Sequence, residues 1–204
     1  SLDIARRNLA LRGSEIFAKV TDLAEYARGE INKLGCYRAF SDDIINGDTV
    51  YDFDRTKLSV YTLDTGLAGV EVYDILRDDY NIQIEFGDLG NILAILSVGD
   101  TSLAIERLVA ALGEIKRLKK KKKTGLFDHE YIAPIVKTTP KAAFYGDKNA
   151  IPLGESAGRI SGEFVMCYPP GIPILAPGEE ITREIIDYIA YAKEKWSLLM
   201  GPQD

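Results

Sequence analysis

The chain has 204 residues, 46% hydrophobic and 27% charged, with a formal net charge of −6. That balance suits a globular chain with enough material for one or two domains, and the acidic total gives no general electrostatic case for nucleic acid. No apolar run approaches a membrane span, and Cys36 and Cys167 are too few for a disulfide framework, so no membrane partner and a reducing, cytoplasmic setting are expected. Residues 1–7 lack the apolar core of a signal peptide and begin without Met inside a helical pattern, as an excised fragment would.

Residues 2–34 have the spacing of an amphipathic helix. Ile16, Val20, Leu23, Ala27, Ile31 and Leu34 recur every three or four positions and make one apolar face. Gly13-Ser14 can kink or divide it, with Ser14 as a cap, and Gly35 can end it. A short strand is predicted at 36–40, a turn at Asn46-Gly47-Asp48, and an alternating strand at 57–62. Thr65 can cap a helix running to about 79, with Val72, Ile75 and Leu76 inward. Residues 82–86 alternate again, 87–90 turn, and 92–98 form a continuous apolar strand. Asp100 or Thr101 caps a helix whose buried stripe is Ile105, Leu108, Val109, Leu112 and Ile115. Helix, two strands, helix, two strands, helix is an α+β order: a small, mostly antiparallel sheet with helices on one face. Within it, the strand at 57–62, the helix and the strand at 82–86 can form a right-handed parallel crossover.

Residues 119–123 are five lysines. They suit the C-terminal end of a helix dipole, or else form a patch for an anionic partner. Residues 124–147, with Pro134, Pro140 and the single histidine, His129, are predicted to be a connector holding one short helical piece near 141–145. A second small α+β unit follows over 148–204, with strands at 150–153 and 160–167. Tyr168-Pro169-Pro170-Gly171 stops the second of these, because proline has no N–H and cannot continue a ladder. Another apolar run, 172–176, ends at Pro177-Gly178. A final helix is predicted over 183–199, with Ile185, Ile189, Ala192, Trp196 and Leu199 inward. The predicted domains are therefore 1–123 and 148–204, joined by 124–147.

Residues 158–179, Gly-Arg-Ile-Ser-Gly-Glu-Phe-Val-Met-Cys-Tyr-Pro-Pro-Gly-Ile-Pro-Ile-Leu-Ala-Pro-Gly-Glu, resemble the C-terminal hallmark of the bacterial ornithine/lysine/arginine decarboxylases. These are pyridoxal-phosphate enzymes of the aspartate-aminotransferase fold type I. The resemblance covers the whole chain but only the C-terminal portion of such an enzyme. It implies the small domain of that fold type, followed by the family's C-terminal domain. It implies a parent lyase that removes the α-carboxyl of a basic amino acid, arginine ahead of lysine and ornithine, toward polyamines, with the cofactor as electron sink. A homodimer or higher oligomer goes with it. The cofactor's Schiff-base lysine, in a Ser-x-His-Lys setting, is expected upstream of Ser1. Neither a catalytic residue nor bound pyridoxal phosphate is then expected in this chain, whose one histidine is followed by Glu130.

Glu163 stands at the mouth of the apolar run 164–167. It is either a carboxylate on a solvated strand face or the partner of the cation at the far end of the substrate. The resemblance puts this segment near the substrate entrance and points to the second. Glu163, Cys167, Tyr168 and Ser161 are the candidate substrate-binding residues, with Ser161 and Arg159 weaker than the rest. Cys167 also reads as packing, since no base or cation adjoins it. For the substrate α-carboxylate, residues 55–59 offer Arg55, Lys57 and Ser59 without a choice among them. There is no dinucleotide or Walker glycine pattern, Gly87-Asp88-Leu89-Gly90 reads as a plain turn, and no metal set is legible, with Asp52-Phe53-Asp54 lacking the rest of a calcium loop. The competing reading from another class is a non-catalytic interaction or oligomerisation module of the same fold.

Overall fold

The computed structural model describes residues 1–118, 132–168, 171–194 and 198–201, with only the backbone at 198 and 199. The lysine run, His129, Pro169, Pro170 and Trp196 lie outside the described residues. The chain divides into two compact units, Ser1–Thr124 and Gly125–Asp204.

The first unit opens with α1, Leu2–Lys33, continuous through Gly13 and Ser14. The expected division is absent: one glycine costs a helix about 1 kcal/mol, and the Arg12–Glu15 ion pair at 3.1 Å bridges it. Burial begins only at Val20 and continues through Ala24, Ala27, Arg28 and Ile31. Four strands follow: β1 (Arg38–Ala39), β2 (Lys57–Tyr61), β3 (Phe86–Gly87) and β4 (Asn91–Ile95). They form one antiparallel sheet in the order β1-β2-β4-β3, with Val60 opposite Ile92 and Leu58 opposite Ala94. In β2, Leu58 and Val60 are buried while Lys57, Ser59 and Tyr61 are half-exposed, so one face carries the core. That core joins Leu58, Val60 and Ile92 to α1, to Val72 and Leu76 of α2 (Gly69–Tyr80), and to Ile105, Leu108, Ala111, Leu112 and Ile115 of α3 (Ser102–Leu118).

Several boundaries differ from the sequence expectation. Thr65 does not cap α2: it lies in a 3-10 turn, Leu63–Thr65, where its hydroxyl donates to Thr62 O at 2.7 Å. The helix starts at Gly69, and the Glu71 carboxylate accepts from Ala68 N at 2.8 Å. A Cβ on Gly69 would collide with Asn91 O, and one on Gly87 with Gly69 O, so this end of α2 lies flush on β3 and β4. The strand expected at 82–86 shrinks to Phe86–Gly87: Ile82 and Ile84 turn into the core, but Ile82 N is taken by Leu76 O. β3 pairs with β4, not β2. Since β2 and β3 are both antiparallel to β4, they run parallel to each other with β4 between, a split version of the expected crossover. β4 stops at Ile95 because the Asp100 carboxylate, accepting from Ser97 N at 2.7 Å, closes a turn; Thr101 then caps α3 through Ala104 N at 3.3 Å.

Arg28 is the one charged side chain in the buried stripe of α1. Its Nε donates to Phe40 O, and its Nη2 to Arg55 O and Lys57 O, each at 2.8 Å. Nη1 meets Glu25 at 3.1 Å, and the guanidinium lies 5.1 Å from the Phe53 ring centroid. One side chain thus fastens both ends of the loop 40–56 to α1.

The second unit contains α4 (Pro140–Tyr145), β5 (Val165–Tyr168), β6 (Ile172–Leu175), α5 (Arg183–Glu194) and β7 (Leu198–Met200). The strands are antiparallel in the order β6-β5-β7, and Val165, Leu175, Ile185 and Ile189 form the core. No strand forms at 150–153; a 3-10 turn, Leu153–Glu155, follows Pro152, which has no N–H to give a ladder. The last helix, described over Arg183–Glu194, does not reach 199: residues 198–200 form β7, pairing Leu199 with Cys167 and Met200 with Met166.

Candidate functional site

The segment 158–181 folds as a crossroads. β5 and β6 form a hairpin, closed where Gly171 N donates to Cys167 O at 2.9 Å. Before the hairpin, residues 158–161 lie beside 178–181. Ser161 N donates to Glu179 O at 2.8 Å, Gly178 N to Ser161 O at 2.9 Å, and Ile181 N to Arg159 O at 2.8 Å. Residues 135–138 border the other side, with Lys137 N on Gly178 O at 2.9 Å and Glu180 N on Ile135 O at 2.8 Å. Gly178 has φ +93°, and a Cβ there would collide with Thr138 O, so this crossing admits only glycine.

The crossroads uses some carboxylates and leaves one. Glu179 accepts from Ala176 N at 2.9 Å, and Glu180 pairs with Lys137 at 2.9 Å. Glu163 is exposed and has no ion pair among the described residues. Ser161, 4% exposed, donates its hydroxyl to Glu163 O at 2.7 Å and accepts from Glu163 N at 3.3 Å. The structure therefore brings Ser161 and Glu163 together. Cys167 is buried, and burial pushes its thiol up to about 11. Tyr168 is exposed at the far end of β5, and Arg159 is exposed beside the crossroads.

An open depression of about 280 Å³ adjoins this segment, lined by Pro140, Lys141, Phe144, Tyr145, Phe164 and Pro177. Glu163 is not among its lining residues; its neighbour Phe164 is. The Lys148 ammonium sits 4.3 Å from the Phe144 ring centroid, and its stem covers Gly162, where a Cβ would lie 3.0 Å from Lys148 Cδ. The aromatic pair Phe144-Tyr145 at the end of α4 was the available sequence signal for this depression; no local pattern announces Lys148.

In the first unit, the residues considered for the α-carboxylate are already engaged: Arg55 meets Asp42 at 2.5 Å and Lys57 meets Asp54 at 3.5 Å. Ser59 is half-exposed on β2. A Schiff-base lysine needs an amine held in a desolvated site. Among the described lysines all are exposed except Lys57, which is half-buried and lies against Asp54, so these residues do not fit the amine that pyridoxal phosphate requires. Among the described residues no group of three His, Cys, Asp or Glu side chains could hold a metal ion, and no helix is long and apolar enough to cross a membrane.

Residues 122–201 match the family model described as Orn/Lys/Arg decarboxylase, C-terminal domain. Over 207 residues the chain is 38% identical to an arginine decarboxylase of Bacillus subtilis, covering 100% of this chain and 42% of that protein. An arginine decarboxylase of Bacillus anthracis is 37% identical over the same shares. The inducible lysine decarboxylase of Escherichia coli K12 is 40% identical over 57 residues, 26% of this chain and 8% of that protein. Among solved structures, the lysine decarboxylase LdcF of Francisella novicida has a TM-score of 0.65 at 20% identity, covering 94% of this chain and 39% of that one. The constitutive lysine decarboxylase of E. coli has a TM-score of 0.60 at 16% identity, covering 92% and 39%. At those identities the two structures bear on the fold alone. The chain spans about two fifths of the length of the curated relatives it matches. Its segment 158–179 is the centre of the second unit and its similarity to arginine decarboxylases runs from end to end, so this polypeptide belongs to the Orn/Lys/Arg decarboxylase family and carries that family's C-terminal domain at residues 122–201.

Proposed function

We propose that the chain works as the C-terminal part of a pyridoxal-phosphate-dependent decarboxylase of a basic amino acid, arginine before lysine and ornithine. The observation that carries this is the extent of sequence similarity: the arginine decarboxylases match 87% to 100% of the chain, the lysine decarboxylase LdcA of Pseudomonas aeruginosa and the inducible one of E. coli 30% and 26%. In this reading the chain shapes the pocket and packs a homodimer or higher oligomer, and the reactive lysine comes from the rest of the parent. Glu163 accepts the guanidinium or ammonium at the far end of the substrate, a charge-assisted contact for which an exposed carboxylate without an ion pair among the described residues is suited.

The test is release of carbon dioxide from arginine, lysine and ornithine by the parent enzyme, beside the 204-residue chain alone with added cofactor. Arginine is expected to have the highest kcat/KM, and the isolated chain is expected to show neither turnover nor a Schiff-base absorbance band. A higher kcat/KM for lysine overturns the substrate assignment, and turnover by the isolated chain overturns the upstream lysine. A folded, oligomeric parent that turns over none of the three favours the non-catalytic module.

A further inference from the structure

We propose that Ser161 is a positioning residue: through its buried hydroxyl it holds Glu163 to the Gly178 corner, and so governs how tightly the parent grips a basic side chain that Ser161 itself does not touch. The inference rests on the reading of Glu163 given under Proposed function.

A serine two residues before an exposed carboxylate is ordinarily a local turn residue. Ser161 is more than that. It is 4% exposed, and its amide, carbonyl and hydroxyl are all bonded: to Glu179 O, from Gly178 N, and to both backbone groups of Glu163. The corner it holds is itself fixed, because Lys137 N and Thr138 N both donate to Gly178 O and the Thr138 carbonyl leaves no room beside Gly178. The residue between, Gly162, is roofed by the stem of Lys148, whose ammonium is anchored over Phe144. A continuous run of short contacts thus leads from a crossing that cannot yield to the backbone from which the Glu163 carboxylate springs.

A carboxylate on a loose loop must lose conformational freedom when it meets a cation; one on a held backbone has lost most of it beforehand. The distal cation lies away from the reacting α-carbon, so its grip is uniform between ground state and transition state. Loosening it raises KM and spares kcat.

The experiment compares Glu163→Gln, Ser161→Ala, Ser161→Thr and the double variant Ser161→Ala/Glu163→Gln in the parent enzyme with arginine. Ser161→Ala is expected to raise KM about fivefold, the worth of one net hydrogen bond, with kcat within about twofold. Ser161→Thr keeps the hydroxyl and recovers most of the loss. The double variant is no worse than Glu163→Gln, because the serine has nothing left to position. Hydrogen exchange on the 204-residue chain supplies a readout free of activity: the Glu163 amide exchanges faster in Ser161→Ala and not in Ser161→Thr. If Ser161→Ala lowers the folded fraction, Ser161→Cys replaces it and the same direction is expected. An unchanged KM in Ser161→Ala beside a raised KM in Glu163→Gln overturns the positioning role alone. Losses that multiply in the double variant do the same. An unchanged KM in Glu163→Gln overturns both the positioning role and the reading of Glu163.

Discussion

Replacing Arg28 by methionine keeps much of the stem and removes the guanidinium. Three carbonyls, Phe40 O, Arg55 O and Lys57 O, each lose a donor at 2.8 Å. Hydrogen bonds to a charged group are worth about 1.5–3 kcal/mol each, but three cannot simply be added, because Arg28 is 3% exposed and its burial costs free energy. Burial pulls its proton affinity down, while Glu25 leads the carboxylates that work the other way. If each abandoned carbonyl costs about 1 kcal/mol, toward the low end because loop carbonyls can find water, the net loss for Arg28→Met is about 3 kcal/mol. Arg28→Lys should lose about 2 kcal/mol, since an ammonium cannot span carbonyls from both ends of the loop as a planar fork does. With two units, one denaturation midpoint is ambiguous, so the assay is denaturant-dependent hydrogen exchange resolved by peptide. Peptides over 38–61 should lose protection in Arg28→Met while those over α5 do not. A loss below about 1 kcal/mol, or one spread evenly over both units, would refute the idea that this arginine fastens the loop.

Further outcomes follow from the same geometry. Gly178→Ala forces a Cβ onto Thr138 O at φ +93° and should destabilise the second unit by about 2 kcal/mol or more, read as faster exchange in β5 and α5; unchanged exchange would mean the crossing is looser than described. Removing residues 1–13 deletes no buried side chain, so first-unit stability should change by less than about 0.5 kcal/mol while the helical signal in circular dichroism falls. At neutral pH an alkylating reagent should modify the half-buried Cys36 before the buried Cys167; the reverse order would contradict their burial. Folded Cys167 keeps its proton up to about 11, whereas the unfolded thiol gives it up near its ordinary value of about 8.5. The folded state therefore binds the extra proton, and its stability is intact below that ordinary value and declines as pH rises toward about 11. Cys167→Ala should show a shallower decline across that window, and equal slopes would count against a buried thiol.

The helices were legible because their periodicity records the core directly: Val20, Ala27 and Ile31 of α1, and Ile105, Leu108, Leu112 and Ile115 of α3, are buried. Period alone misled where side chains and hydrogen bonds part company. Ile82, Ile84 and Phe86 alternate, yet a ladder forms only from 86 because Ile82 N closes the end of α2. Leu199 keeps helical spacing from Ile185 but pairs with Cys167, a partner 32 residues back that no local window contains. The same limit governs the candidate site. Ser161 and Glu163 meet because they are two residues apart, which the sequence displays. Lys148 over Gly162, 14 residues apart, and Phe144 and Phe164 lining one depression, 20 residues apart, are joined through a fold that spacing does not encode. Arg28 was hidden in another way, as a charge set in an apolar stripe whose partners lie 12 to 29 residues downstream.

A motif that identifies a family need not consist of catalytic residues, and much of this one is explained by folding alone. Gly178 is required by the Thr138 carbonyl and Glu179 by the amide of Ala176. Val165 and Leu175 are core, and Cys167 is buried beside them in β5. Subtracting these leaves few side chains in the segment with chemistry to offer a ligand. Glu163 is one: a carboxylate, exposed, unpaired among the described residues, and set on a backbone that Ser161 holds still. Holding an exposed residue's backbone costs conformational entropy and gives the fold little in return, unless the position of that carboxylate is itself what matters. On the proposed reading, substitution at Glu163 leaves the stability of the second unit within about 0.5 kcal/mol while raising the parent enzyme's KM for arginine, and a variant that destabilises the unit while KM is unchanged would place Glu163 among the folding residues instead.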